Sequence, residues 1–142
     1  LAALGWCLGG YSILELAQMT THLTGHVRAM VAYHGVFGVG SDNEKTKPTK
    51  EDDRQGRRCE ILVCHGTQDP FVSDESVSHA LATFQRHRHL IASLLQLPAK
   101  HGFTNPAQEH NDNPAFGYDE LAAAKSWRQT LALLRRTLSS PG

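Results

Sequence analysis

The sequence predicts an α/β fold, with parallel strands alternating with helices that cover the sheet on both faces. Three observations carry this expectation. Short apolar runs alternate with segments of helical period (Leu1–Gly5, Val27–Tyr33, Ile61–Cys64 and Ile91–Leu97 are the runs). Each run stops at a breaker: Gly5, His34-Gly35, His65-Gly66 and Pro98. Such alternation implies right-handed crossovers between parallel strands. The 142 residues suit one domain, and 40% apolar with 20% charged residues is an ordinary globular balance.

In chain order, residues 1–5 read as the end of a buried strand and Tyr11 to about Leu23 as a helix carrying Ile13, Leu14, Leu16 and Ala17. Val27–Tyr33 is the second strand. Residues 41–58 hold most of the polar surface and read as a long surface loop. Ile61–Cys64 is the third strand. Ser73 is placed to cap a helix with Asp74 and Glu75 in its first turn and Val77, Leu81 and Phe84 on its apolar side. That helix fades into Arg86-His87-Arg88-His89, a basic end that complements the dipole. After the fourth strand, Asn105–Gly117 is loop. From Asp119 onward, Leu121, Ala124, Trp127, Leu131, Leu134 and Leu138 form an amphipathic stripe, expected to face the core.

Composition excludes several functions. Fourteen basic residues balance fourteen acidic ones, against the basic excess of a nucleic-acid binder. No apolar run approaches the ~20 residues that span a bilayer. Three cysteines, Cys7, Cys59 and Cys64, have the wrong parity for a disulfide scaffold and read as free thiols of a reducing, cytoplasmic compartment. No C-x-x-C or H-x-x-x-H spacing calls for zinc, and the glycines fit neither dinucleotide nor P-loop patterns. No cofactor and no metal are expected.

Parallel sheets gather their chemistry beyond the carboxyl ends of the strands. Cys7, Asp69 and His101 fall there. Gly5-Trp6-Cys7-Leu8-Gly9 fits the elbow pattern G-x-S-x-G with cysteine in the serine position. Flanking glycines are expected because side chains there would strike the strand and helix. The following helix points its N-terminus at the sulfur and favours a thiolate. The order nucleophile, acid, histidine is that of α/β-hydrolases. His34 and His65, each before a glycine, read as structural or pocket-lining rather than catalytic.

GWCLGG, HGTQDP, KHGF and YDELAAAKSW together resemble the dienelactone hydrolase family, a cysteine-nucleophile branch of the α/β-hydrolases, over nearly the whole chain. The resemblance implies Cys7 as nucleophile, His101 as base and Asp69 as the acid that orients it. It implies the C-terminal portion of an α/β-hydrolase fold, residues 1–142 forming a partial single domain, because family members start well before the elbow. A second oxyanion donor and a carboxylate for the resting thiol are expected in that earlier part. Where members acting on dienelactone place an arginine after HGF, this chain has Thr104-Asn105-Pro106. The expected activity is hydrolysis of a small-molecule ester or lactone, with the Leu8 backbone N–H in the oxyanion hole. Trp6, Phe71 and Phe103 adjoin the three positions in sequence and are expected to wall an apolar pocket. A non-catalytic hydrolase-like binding module is the alternative, and a thiol-dependent acyltransferase shares the triad. No nucleic acid or membrane is expected as a partner; self-association, or completion by a further N-terminal segment, is.

Overall fold

A computed structural model describes residues 1–18, 26–35 and 58–139. The four apolar runs form strands β1 (Ala2–Trp6), β2 (Ala29–Tyr33), β3 (Cys59–Gly66) and β4 (Leu90–Leu97). Between and after them lie α1 (Leu8–Gln18), α2 (Asp74–Gln85), a 3-10 turn at Pro106–His110 and α3 (Glu120–Leu138). The sheet order is β1-β2-β3-β4 and every pairing is parallel. All strands therefore end at one edge of the sheet, followed by Cys7, His34, Thr67 and Pro98. Of the polar stretch 41–58, all but Arg58 lies outside the described residues, as does the expected continuation of α1 toward Leu23.

The register explains the two-sided burial. Leu4 lies beside Val31, Val31 beside Leu62, and Val63 beside Leu94. Alternate residues then supply opposite faces. Met30, Ala32, Ile61 and Val63 meet Ile13, Leu14 and Ala17 of α1 and Phe84 of α2. Ala29, Val31, Tyr33, Leu62, Cys64 and Leu97 meet Ala122 and Leu133 of α3. All of β2 is buried, as its unbroken apolar run requires.

Ser73 caps α2 as expected, accepting from the Ser76 N–H at 3.1 Å, with Val77 and Phe84 buried. The basic cluster at 86–89 lies beyond the helix, whose last turn holds no basic residue. Among the described residues no helix is long and apolar enough to cross a membrane.

Helix α3 corrects the expected stripe. Its buried residues are Ala122, Ser126, Thr130 and Leu133, whereas Leu121 is 82% exposed, Trp127 47% and Leu138 43%. Small side chains let the helix lie close on the sheet. Their hydroxyls are satisfied locally: Ser126 donates to the Ala123 carbonyl at 2.9 Å and Thr130 to that of Ser126 at 3.0 Å. The Tyr33 hydroxyl in turn donates to Thr130 Oγ1. Hydrophobic periodicity ranks Leu and Trp above Ser and Thr, so it points to the flank instead of the contact face. The opposite flank carries Arg136, which grips Glu60 of β3 at 2.7 Å.

Three buried protic groups sit in this core. Burial pushes the Tyr33 phenol up to about 12, Cys59 to about 11 and Cys64 to about 12. A folded-state value raised in this way adds stability that is complete below the unfolded values and fades as pH climbs through the folded ones. The urea midpoint should therefore hold level up to about pH 9 and fall steadily toward pH 11–12. A midpoint unchanged at pH 11 would contradict the burial of these three groups.

Candidate active site

The first strand ends in a turn of one residue. Cys7 has φ 52° and α1 begins at Leu8, earlier than its apolar pattern alone implies. The Cys7 N–H donates to the Tyr33 carbonyl at 3.0 Å, and its own carbonyl accepts from Tyr11 at 3.1 Å. A Cβ on Gly5 would stand 2.3 Å from the Gly9 carbonyl oxygen, so only glycine fits there. Gly9 differs from expectation: a Cβ there meets nothing within 4 Å, because its outward side faces open space. The second tight position is Gly10, where a Cβ would lie 2.9 Å from Gly35 Cα at the end of β2.

Asp69 follows β3 by a turn in which its N–H donates to the Gly66 carbonyl at 3.0 Å. Gly66 itself lies against the segment after β4; a Cβ there would meet the Ala99 oxygen at 2.3 Å. This contact brings the Asp69 and His101 segments together. His101 is held by its backbone, its N–H donating to Ala115 at 3.1 Å and its carbonyl accepting from Gly117 at 3.2 Å.

The structure brings Cys7, Asp69 and His101 into one line. His101 Nδ1 lies 2.6 Å from Asp69 Oδ2, and His101 Nε2 lies 3.2 Å from Cys7 Sγ. The other carboxylate oxygen, Oδ1, accepts from the Phe71 N–H at 2.9 Å. Asp69 is 6% and His101 2% exposed, so the pair is shielded from solvent and screening. With Nδ1–H donating to the carboxylate, Nε2 keeps a lone pair toward sulfur. The Leu8 N–H is in the first turn of α1, where no intrahelical acceptor exists.

Aromatic rings pack around the imidazole. Phe71 lies at 5.1 Å and 83°, Phe116 at 5.2 Å and 88°, and His34 at 4.9 Å and 65°. Phe71 is half exposed and its ring lies against His101. Phe103 is wholly buried, against His34 at 5.5 Å, and so walls no open pocket. Trp6 stacks on Tyr33 at 5.0 Å with its rings nearly parallel. Phe116 and His34 belong to the surroundings of His101; sequence reasoning gave Phe116 no role and read His34 as structural or pocket-lining. The signal for His34 was present, a histidine before glycine at a strand end, but nothing local reveals which ring it meets. Burial pushes His65 down; its Nε2 lies 3.6 Å from Asp74 Oδ1, on the side of β3 rather than in the line. Cys59 and Cys64 are free and buried. Among the described residues no group of three His, Cys, Asp or Glu side chains could hold a metal ion.

Comparison with known proteins agrees with this architecture. The chain is 27% identical to uncharacterized protein K02A2.1 of Caenorhabditis elegans, over 98% of this chain and 81% of that protein. It resembles the solved structure of a dienelactone hydrolase-like promiscuous phosphotriesterase, P91, from metagenomic libraries, with 31% identity and a TM-score of 0.73. A structure titled m3DLH matches at 29% identity and a TM-score of 0.75. In both cases 96% of this chain is covered but only 52% of the other, so the chain spans about half the length of these solved relatives. The model of the dienelactone hydrolase family matches residues 1–138, nearly the full sequence. With the parallel sheet, the one-residue turn at Cys7 and this match together, the chain belongs to the dienelactone hydrolase family, whose fold is that of the α/β-hydrolases.

Proposed function

We propose that this chain carries the nucleophile, acid and base of an enzyme that hydrolyses a carboxylic ester or lactone. The observation that supports this most is the unbroken line from Asp69 Oδ2 through the His101 ring to Cys7 Sγ, at 2.6 and 3.2 Å. In this reading His101 Nε2 takes the Cys7 proton, and Asp69 holds the ring's tautomer and balances the imidazolium charge. Sulfur attacks the acyl carbon. The developing oxyanion is met by the Leu8 N–H and by a second donor from the part of the fold that the solved relatives have and this chain does not span. His101 then protonates the leaving alkoxide as the C–O bond breaks, leaving a thioester on Cys7. Water, deprotonated by the same nitrogen, cleaves the thioester and returns the thiol. An alcohol or amine in place of water would make the enzyme an acyltransferase, and product analysis with an added acceptor separates the two. The half-length match also favours a second reading, a hydrolase-like binding module without turnover.

The outer edge of β1 has no strand beside it among the described residues, and α3 leaves Leu121, Trp127 and Leu138 exposed. Such a step suits a strand and helix from the remaining half of the fold, supplied in the same or another chain.

Two outcomes follow. In the chain as given, Cys7 should react with iodoacetamide at pH 7 far faster than Cys59 or Cys64, whose buried thiols are pushed up to about 11 and 12. His101→Ala should remove that advantage, and in a completed enzyme Cys7→Ala should cost about a thousandfold or more in ester turnover. Equal rates at Cys7 before and after His101→Ala would rule out the activating pair. Light scattering should show the isolated 142 residues self-associating, and Trp127→Lys with Leu131→Lys should reduce it. A monodisperse monomer with turnover equal to the solved relatives would refute the open-edge reading.

A further inference from the structure

His34 is held at a cost that its place just after β2 does not explain. Its φ is 37°, a left-handed conformation that glycine or asparagine adopts readily and an aromatic residue rarely does. The turn itself is forced. Gly35 and Gly10 are in contact, a Cβ on Gly35 falling 3.2 Å from the Gly10 carbonyl carbon, so the chain leaving β2 passes directly beneath the first turn of α1. The His34 N–H donates to the Cys64 carbonyl at 2.8 Å and fixes the peptide. The result is a ring turned inward, 5% exposed.

That ring meets the His101 segment at three places. Nε2 lies 3.2 Å from Thr104 Oγ1, the ring edge meets Phe103 at 5.5 Å, and it meets His101 at 4.9 Å. One hydrogen bond from Nδ1 to Asp69 leaves His101 free to pivot about that bond, carrying Nε2 away from sulfur. Phe71 and Phe116 limit the pivot, but Phe71 is half exposed and Phe116 is bridged to the His101 segment itself, so neither ties the ring to the sheet. His34 alone of the three ties His101 to the strand beside the elbow. We propose that His34 is a positioning residue that, by bracing the His101 ring and anchoring Thr104 to the end of β2, holds Nε2 within reach of Cys7. This rests on the reading of Cys7, His101 and Asp69 as the reacting line.

A brace beside a base must not compete with it for protons. Burial first, and then the neighbouring His101, push His34 down to about 4, with Asp69 offsetting part of the shift. His34 is therefore neutral over the working range, and no second cation stands against His101 when it takes up the thiol proton. With Nε2–H donating to Thr104, Nδ1 is the unprotonated nitrogen; it is buried and meets no hydrogen-bond partner among the described residues. The charged groups facing this ring are thus Asp69 and, once protonated, His101.

The test is the rate of Cys7 alkylation by iodoacetamide from pH 5 to 10, with mass spectrometry resolving Cys7, Cys59 and Cys64 in the same sample. The chains compared are the parent, His34→Gly, His34→Asn and His101→Ala. Glycine relieves the backbone and deletes the ring, while asparagine tolerates the same φ and keeps a donor for Thr104. In His34→Gly the Cys7 rate at pH 7 should fall about tenfold, as expected for a base displaced by a fraction of an ångström, and its pH profile should approach that of His101→Ala. His34→Asn should recover part of the loss. Cys59 and Cys64 should stay slow throughout, showing a closed core. A His34→Gly chain with the parent's Cys7 profile, beside a slow His101→Ala, overturns the role of His34 alone. Faster Cys59 and Cys64 in both His34 variants would show a residue needed for the fold and overturn it too. An unchanged His101→Ala profile overturns the reacting line itself, and this proposal with it.

Discussion

How closely α1 can approach the ends of β1 and β2 decides the rest of this structure. Gly5 lies where any Cβ would strike the helix backbone at Gly9, and Gly10 lies against Gly35. These contacts leave a single residue, Cys7, to reverse the chain between strand and helix, and that residue takes a left-handed conformation. The sulfur therefore projects beyond the sheet. The same approach swings the exit of β2 under the helix and turns His34 inward. A helix held one methyl group farther away would relax both turns. It would separate the sulfur from the ring 3.2 Å away.

On the opposite face the constraint is also closeness, solved with hydroxyls instead of glycines. Ser126 and Thr130 are wholly buried on α3 and spend their donors on the helix's own carbonyls. Thr130 still accepts from Tyr33, whose carbonyl anchors the Cys7 N–H and whose ring carries Trp6. The α3 contact is thereby connected to the elbow through one tyrosine. Burial of that phenol and of the Cys64 thiol joins the integrity of this face to alkaline pH.

Around His101 the polar and apolar contacts divide the labour. Asp69 supplies direction through one short hydrogen bond, and three rings restrict the remaining freedom. Burial strengthens the Asp69 contact by lowering the local dielectric. It also makes any unneeded charge expensive, which is why a second histidine there is tolerable only in its neutral form.

The sequence by itself determined the parallel α/β class, the four strands within about two residues, the cap at Ser73 and the three strand-end positions of Cys7, Asp69 and His101. These are legible because they rest on local patterns: runs of apolar residues, glycine and proline breakers, and short motifs with fixed spacing. The tertiary structure decided what depends on partners distant along the chain. It showed that α3 rests on Ala122, Ser126, Thr130 and Leu133, keeps Leu134 of the expected stripe against the core and leaves Leu121, Trp127 and Leu138 exposed, since closeness to the sheet outweighs hydrophobicity there. It placed Phe103 in the interior, not on a pocket wall. It also distinguished Gly5, which no other residue can replace, from Gly9, which has room to spare. The placement of His34 against His101, 67 positions away by sequence number, follows from the same cause: ring contacts are set by the segments that leave different strands at the same end of the sheet, and no local pattern records which of them will meet.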